Sequence, residues 1–195
     1  MRIIAGEFGG RLIEAPPGLG TRPMLDRVRE AMFSTLGERF EGAGVLDLFA
    51  GTGSLGLEAL SRGALMARMV ELDGRVVKLL DANVKALGVK DRAHVLTGDA
   101  ISPAVWKDPS CERYAVIFFD PPYPMLRDGT SRKRLLEALE RLAADRLQDD
   151  GVIVLHAPRG LLQSGEFRGL AARERAYGTS SLWYLTRDSA ATESQ

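Results

Sequence analysis

An Asp-Pro-Pro-Tyr sequence follows a run of large apolar residues and is the most distinctive candidate for chemistry: Asp120, Pro121, Pro122 and Tyr123. Consecutive prolines donate no ladder hydrogen bonds, so we expect a strand to end there in a rigid, extended exit. The Asp120 carboxylate and the Pro121 carbonyl can accept both N–H groups of an exocyclic amine, and Tyr123 can stack on the base that carries it. The motif favours methyl transfer to such an amine on an unstacked base. An ordinary turn after a buried strand is the alternative.

A glycine-rich loop lies earlier in the chain, where Gly51, Gly53 and Gly56 satisfy G-x-G-x-x-G. Glu71 follows Gly51 by 20 residues, the distance typical of a ribose-binding carboxylate, so the pattern permits a dinucleotide site. Asp47 argues against a dinucleotide, because a carboxylate this close to the loop would repel a pyrophosphate but could receive an ammonium. S-adenosylmethionine offers an ammonium, a sulfonium and no phosphate.

Three carboxylates, Asp47, Glu71 and Asp99, fall at the ends of three successive predicted strands. In a doubly wound sheet these ends line one crevice. Asp99 could accept a hydrogen bond from the exocyclic amine of adenine. The alternative for each carboxylate is a helix N-cap or an ordinary surface acid.

Alternating apolar runs and amphipathic stretches predict the elements that position these residues. We expect a parallel sheet covered on both faces, with right-handed crossovers. The predicted strands are Gly44–Phe49, Ala67–Leu72, Ala93–Thr97, Ala115–Asp120 and Val152–His156, followed by an antiparallel hairpin of Ala172–Tyr177 and Ser181–Arg187. The predicted helices are Ser54–Ser61, Gly74–Leu87, Ile101–Trp106 and Ser131–Leu147.

The first 40 residues have a different pattern, which predicts an N-terminal extension beside the α/β core. Arg2–Gly6 and Arg11–Ala15 can form a hairpin, and apolar residues at helical spacing make Met24–Phe40 an amphipathic helix, with Pro23 suited to its first turn. We assign residues 1–40 to this extension, residues 41–188 to the α/β domain, and residues 189–195 to a frayed tail.

Composition excludes several classes of protein. The 195 residues are 45% hydrophobic and 27% charged with zero net charge, so the bulk of the chain is neither disordered nor strongly basic. The longest charge-free stretch, 176–186, is too short to cross a membrane. One cysteine and two histidines argue against a zinc site, so we expect no metal, and the lone cysteine is compatible with a cytoplasmic location. Only 5 of the 26 basic residues are lysines; this arginine bias suits phosphate contacts and base stacking, or reflects a GC-rich genome.

Two blocks of sequence carry a resemblance to a known family. They are the N-terminal block, with Arg2-Ile3-Ile4-Ala5-Gly6, Thr21-Arg22-Pro23 and residues 26–33, and the glycine-loop block of residues 48–63. Together with Asp-Pro-Pro-Tyr they resemble class I S-adenosylmethionine-dependent methyltransferases, and specifically the bacterial family that methylates guanine N2 in small-subunit ribosomal RNA. The similarity extends to about Arg187. Met24 and Ser34 depart from the family pattern, where Thr and Asn are common.

The resemblance implies a Rossmann-like, seven-stranded methyltransferase sheet, parallel with one antiparallel C-terminal strand, and a monomer. It implies that S-adenosylmethionine, with S-adenosylhomocysteine as product, is bound by Asp47, Ala50, Gly51, Thr52, Gly53, Glu71, Asp99 and Ala100. Asp120 to Tyr123 would form the catalytic pocket. The target would be one guanine of the rRNA in a 30S particle.

Arginines of the N-terminal block are the candidates for contact with RNA. Arg22, Arg27 and Arg29 are assigned to substrate binding, with Arg22 also able to reach the cofactor carboxylate. The alternative for Arg27 and Arg29 is a solvated helix face with intrahelical ion pairs. We assign His156 a structural role at a strand end.

Three other functions remain open. A DNA amino-methyltransferase acting on adenine N6 or cytosine N4 fits Asp-Pro-Pro-Tyr, although the chain has little room for a target-recognition domain. A nicotinamide-dependent oxidoreductase fits the glycine pattern but leaves Asp47 unexplained. A non-catalytic RNA-binding module is opposed by the intact Asp120 and glycine loop.

Overall fold

The structure, a computed structural model, describes residues 1–15 and 24–188. Its strands are β1 (Gly44–Leu48), β2 (Met66–Glu71), β3 (Ala93–Thr97), β4 (Tyr114–Phe119), β5 (Leu147–Pro158), β6 (Leu170–Tyr177) and β7 (Ser180–Arg187). They form one sheet in the order β3-β2-β1-β4-β5-β7-β6. Neighbours from β3 to β5 are parallel, and β7 runs antiparallel to both β5 and β6. The predicted α/β fold, with one antiparallel C-terminal strand, is confirmed.

Helices and turns cover both faces of the sheet. Within the described ranges the α-helices are α1 (Asp26–Leu36), α2 (Gly56–Ser61), α3 (Gly74–Leu87), α4 (Tyr123–Arg127) and α5 (Gly129–Arg146). The residues before α1 and the helices α1, α2 and α3 pack on one face, and α4 and α5 pack on the other. None of the described helices is long and apolar enough to cross a membrane.

The N-terminal hairpin is shorter than predicted. Arg2 and Leu12 form a single antiparallel bridge instead of the predicted pairing of Arg2–Gly6 with Arg11–Ala15. The ladder stops because the next backbone donors bind elsewhere: the amides of Ile4 and Ala5 donate to the buried Glu58 carboxylate of α2, at 2.6 and 3.1 Å. The N-terminal residues are therefore attached to α2.

A second attachment joins the N-terminal segment to the glycine-rich loop. Asn83 of α3 is 2% exposed, and its Oδ1 accepts from the Glu14 amide at 2.7 Å. Its Nδ2 donates to the carbonyls of both Glu14 and Thr52, each at 3.0 Å. One amide side chain thus connects residue 14 to the loop that follows β1.

Several predicted boundaries were wrong. The helix predicted for Met24–Phe40 ends at Leu36, because Gly37 takes a φ of +58°; Pro23 lies outside the described residues. The helix predicted for Ile101–Trp106 is a 3₁₀ turn, Pro103–Trp106. The predicted strand Ala93–Thr97 and helix Gly74–Leu87 have the predicted bounds, and the remaining predicted elements are present with shifted ends. The difference is largest for β5, which continues beyond a register shift to pair Leu147 with Tyr114.

Candidate active site

The predicted carboxylates lie at one edge of the sheet. The chain crosses from β1 to β2 in one direction and returns to β4 on the other side of β1, so the carboxyl ends of β1 and β4 border a crevice. Asp47 lies one residue before the end of β1, Glu71 ends β2, and Asp120 directly follows β4. Asp99 follows β3 two residues after its end. Strand topology therefore places all four together at the carboxyl edge.

Asp47 is an incompletely paired acid in the protein interior. It is 1% exposed, and its Oδ2 accepts from the Gly56 amide at 2.8 Å. Its Oδ1 is buried and makes no hydrogen bond to any described residue. Burial raises the pKa of Asp47 to about 8, the Gly56 hydrogen bond opposes this rise, and the charges of Asp120 and Glu71 add to it. The carboxylate is thus suited to a cationic partner.

The glycine-rich loop requires glycine at specific positions. Gly53 has a φ of +88°, and a Cβ there would lie 2.4 Å from Leu80 Cδ1. Gly51 has a φ of +57° and faces open space, where a ligand can approach the backbone. Phe49 also has a positive φ, +64°, and its ring packs edge-on against Phe119 at 5.3 Å. Sequence reasoning missed this strained residue, since no local pattern marks a non-glycine in that conformation.

Glu71 closes the loop from the neighbouring strand. Its Oε2 accepts from the Gly51 amide at 3.0 Å, and its Oε1 accepts from the amides of Leu72 and Asp73, at 2.8 and 2.9 Å. The Ala50 amide donates to the Val70 carbonyl of β2 at 2.9 Å. The carboxylate thus fixes the loop with three hydrogen bonds, which leaves about one lone-pair site, on Oε2, for a further donor.

The two predicted residues after β3 differ in exposure. Asp99 is exposed, and its Oδ1 accepts from the Ile101 amide at 3.2 Å in a local turn. It is not a helix N-cap, because Ser102 holds that position before the 3₁₀ turn Pro103–Trp106. Ala100 is 4% exposed, and its carbonyl accepts from Trp106 Nε1 at 2.8 Å. Thr52 of the glycine-rich loop is also buried.

Asp120 belongs to a chain of side-chain hydrogen bonds that crosses three elements. Its Oδ1 lies 2.9 Å from Nδ1 of His156 in β5. His156 Nε2 lies 3.1 Å from the hydroxyl of Tyr123, which lies 3.2 Å from Oγ of Ser180. The extended exit predicted after β4 continues through Pro122, with φ −54° and ψ 133°, and Tyr123 then begins the unpredicted helix α4.

Sequence reasoning missed the contact made by His156. The histidine is 5% exposed and lies inside β5, two residues before its end instead of at the predicted strand end, and its imidazole contacts the candidate catalytic carboxylate. The signal that could have shown this contact is the pairing of β4 with β5. Phe119 pairs with Leu155, so the next residues, Asp120 and His156, lie side by side. That inference needed the register of β4 against β5.

The three arginines assigned to RNA differ in placement. Arg22 lies outside the described residues. Arg27 is exposed and lies beside the β6–β7 turn, where a Cβ on Gly178 would be 3.4 Å from its guanidinium nitrogen. Arg29 is 1% exposed, donates to the Arg2 carbonyl at 2.5 Å and lies 3.2 Å from Asp26. Burial lowers the pKa of Arg29, so this side chain holds α1 against the N-terminal residues instead of facing outward.

The residues of the crevice fit S-adenosylmethionine. The unpartnered Asp47 Oδ1 suits an ammonium, and the open face of Gly51 admits a ligand to the backbone. Among the described residues no group of three or more His, Cys, Asp or Glu side chains is arranged to hold a metal ion.

A family model, curated protein sequences and solved structures all match this chain over most of its length. Residues 1–186 match the family model described as conserved hypothetical protein 95. The chain is 36% identical over 164 residues to YlbH of Bacillus subtilis, covering 82% of this chain and 83% of that one. It is 36% identical over 159 residues to ribosomal RNA small subunit methyltransferase D of Escherichia coli, covering 80% and 74%. The structure of Escherichia coli yhhF is similar with a TM-score of 0.79 and 31% identity, covering 96% of this chain and 98% of that one.

Proposed function

Since this chain belongs to the family of conserved hypothetical protein 95 and ribosomal RNA small subunit methyltransferase D, we propose that it methylates the exocyclic N2 amine of a guanine in small-subunit ribosomal RNA. The methyl donor is S-adenosylmethionine, and the substrate is the RNA within an assembled 30S subunit. We expect the enzyme to act as a cytoplasmic monomer.

One observation carries this proposal: two carboxylates near the ends of the adjacent strands β1 and β4 are each available to bind a different ligand group. Asp47 keeps a buried oxygen without a partner, and the Asp120 side chain is 30% exposed at the mouth of the crevice. Asp47 would hold the donor's ammonium, directly or through a water, and Asp120 would hold the acceptor amine. A pyrophosphate would offer the Asp47 carboxyl no positive charge and would oppose its ionisation, which disfavours a nicotinamide dinucleotide.

The remaining cofactor contacts follow the strand order. Glu71 would accept from the ribose hydroxyls and Asp99 from the adenine amine. The backbone of Ala50, Gly51, Thr52 and Gly53, and Ala100 after β3, would be the further residues that hold the donor. When bound, S-adenosylmethionine supplies an electrophilic methyl group on a sulfonium.

The Asp-Pro-Pro-Tyr residues then act on the base. The Asp120 carboxylate and the Pro121 carbonyl accept the amine N–H groups, which favours pyramidal nitrogen and directs its lone pair toward the methyl carbon. Tyr123 stacks on the flipped base, while Pro122 keeps the exit from β4 extended. The new N–C bond forms as the C–S bond breaks, S-adenosylhomocysteine is released, and the nitrogen gives one proton to solvent. These residues contribute through positioning and electrostatics.

The RNA contacts are assigned to the face that carries α1. Arg27 is exposed there, and a groove of about 310 Å³ between α1 and the β6–β7 hairpin is lined by Arg39, Arg173 and Arg175. Arginine side chains suit phosphate contacts. We retain the proposal that residues 1–40 form an RNA-facing extension of a methyltransferase domain at 41–188, with Arg22 among its contacts, and we withdraw Arg29 because it is buried.

Methyl transfer from labelled S-adenosylmethionine tests the proposal. Small subunits lacking the modification, naked rRNA and duplex DNA are offered in parallel, with Asp120→Ala as the inactive variant. We expect label on a guanine of the small-subunit RNA, at N2 by nucleoside analysis, and none with the variant. Label on DNA alone would establish the DNA amino-methyltransferase instead. Light scattering of the purified chain tests the monomer.

A further inference from the structure

The hydrogen-bond chain from Asp120 to Ser180 has one consistent direction when Asp120 is ionised and His156 is neutral. An ionised carboxylate accepts and cannot donate, so His156 Nδ1 must carry the proton that lies between it and Asp120 Oδ1. In the neutral imidazole Nε2 is then an acceptor and receives the Tyr123 hydroxyl hydrogen. The Tyr123 oxygen in turn accepts from Ser180 Oγ.

Both neighbours of His156 belong to the proposed catalytic pocket. Asp120 would hold the amine and Tyr123 would stack on the base, and the imidazole joins these two side chains from strand β5. The His156 side chain is 7% exposed and the Asp120 side chain is 30% exposed, so a buried group supports a more accessible one. The Tyr123 and His156 rings also pack at 5.6 Å between centroids.

From this geometry, and resting on the proposed methyl transfer, we infer that His156 is a positioning residue that fixes Asp120 and Tyr123 relative to each other. The carboxylate that binds the amine and the ring that stacks on its base are thereby held as one unit. The bond to Nδ1–H takes one lone-pair site of Oδ1, so Oδ2 is the less engaged oxygen for the amine. Misplacement by about 1 Å at such a site can cost on the order of a hundredfold in rate.

Two substitutions at this position separate positioning from packing. His156→Leu removes both hydrogen bonds and keeps an apolar side chain of similar size. His156→Asn retains a donor near the place of Nδ1–H, so the link to Asp120 is restored and the link to Tyr123 is lost. The matched control is His94→Leu, because His94 Nδ1 also lies 2.7 Å from an aspartate, Asp108, but in β3.

The assay is single-turnover methylation at saturating S-adenosylmethionine and small subunits, with the melting temperature and the cofactor Kd measured on the same samples. We expect His156→Leu to slow the methyl-transfer rate by about tenfold to a hundredfold with an unchanged cofactor Kd. His156→Asn should recover only part of that loss, because its link to Tyr123 stays broken, and His94→Leu should match the unsubstituted protein. An unchanged rate in His156→Leu would overturn the inference, and so would full recovery of the rate in His156→Asn, because the link to Tyr123 would then be unnecessary.

A second measurement needs no RNA and separates this inference from the proposed function. Nitrogen-15 chemical shifts of the His156 ring report which nitrogen carries the proton. We expect the Nδ1–H tautomer in the unsubstituted protein and its loss in Asp120→Ala. An Nε2–H tautomer in the unsubstituted protein would refute the chain even if rRNA is methylated. If no RNA is methylated but the Nδ1–H tautomer is present, the proposed substrate fails and the linkage of Asp120 to His156 stands.

Discussion

Replacing Asp47 by asparagine should make the ligand-free protein more stable and its cofactor binding weaker. In the folded chain burial raises the pKa of Asp47 from 3.8 to about 8. Between these values the folded state holds a proton that the unfolded state has lost, so stability falls as pH rises through this range. It is greatest below pH 3.8 and reaches its low plateau above pH 8. An asparagine side chain has no proton to lose in this range, so the stability of the variant does not fall with pH for this reason.

The size of the effect follows from the distance between the two pKa values. Each unit of pH between them is equivalent to about 1.4 kcal/mol, so by pH 7 the loss is on the order of 4 kcal/mol. The amide can still accept the Gly56 N–H that now binds Oδ2, which preserves the local structure. Asp47→Asn should therefore raise the free energy of unfolding by several kcal/mol at pH 8 and have little effect at pH 4.

The same substitution should weaken cofactor binding, although it stabilises the ligand-free protein. An ammonium beside Asp47 favours its ionised form, so binding S-adenosylmethionine below pH 8 should release close to one proton and affinity should rise with pH. Asp47→Asn should bind more weakly and without that pH dependence.

Urea denaturation at pH 5, 7 and 8.5 and calorimetry in two buffers of different ionisation enthalpy provide the measurements. Asp99→Asn, at an exposed carboxylate of the same edge, is the control and should leave the free energy of unfolding unchanged. A destabilised Asp47→Asn protein at pH 8.5, or cofactor binding without proton release, would refute the reasoning.

Three further predictions concern the surroundings of the site. Glu58→Ala removes the buried acceptor of the Ile4 amide and should lower the free energy of unfolding by about 3 kcal/mol in urea, with an unchanged α/β far-ultraviolet spectrum expected; loss of all helical signal would contradict this local role. Arg27→Ala should weaken RNA binding and reduce its logarithmic salt slope by about one, while kcat at saturating RNA stays the same; an unaltered slope would remove Arg27 from the phosphate contacts. Gly53→Ala, with φ +88° and Leu80 in the way, should lose more than about 1 kcal/mol of stability and bind the cofactor more weakly; a variant of normal stability would mean that the loop can relax.

Local patterns were sufficient to predict most of the sheet. Buried apolar runs such as Tyr114–Phe119 can hardly form anything but interior strands, and a glycine-rich loop or a pair of prolines marks where two of them end. The carboxylate cluster followed from topology, because parallel strands bring their carboxyl ends to one edge. The α-helical reading of Ile101–Trp106 failed because Pro103 starts a 3₁₀ turn too short for the pattern to distinguish.

The remaining errors have a common cause, which is that side-chain partners come from distant parts of the chain. Arg29 was assigned to RNA binding on an exposed helix face, but the structure buries it, with Nη2 donating to the Arg2 carbonyl. His156 was given a structural role because its partner Asp120 is 36 residues away in sequence. Neither pairing leaves a periodic signal.

The attachments of the first fifteen residues limit how this protein can be divided or recombined. A chain beginning at residue 41 would lose the backbone amides that donate to Glu58 and Asn83. These two side chains would be left without those partners, within an apolar surface that the N-terminal residues now cover. Such a fragment would aggregate instead of serving as a minimal catalytic module. For the same reason the N-terminal segment cannot be exchanged with that of another enzyme as an independent cassette, unless the matching surfaces of α2 and α3 are transferred with it.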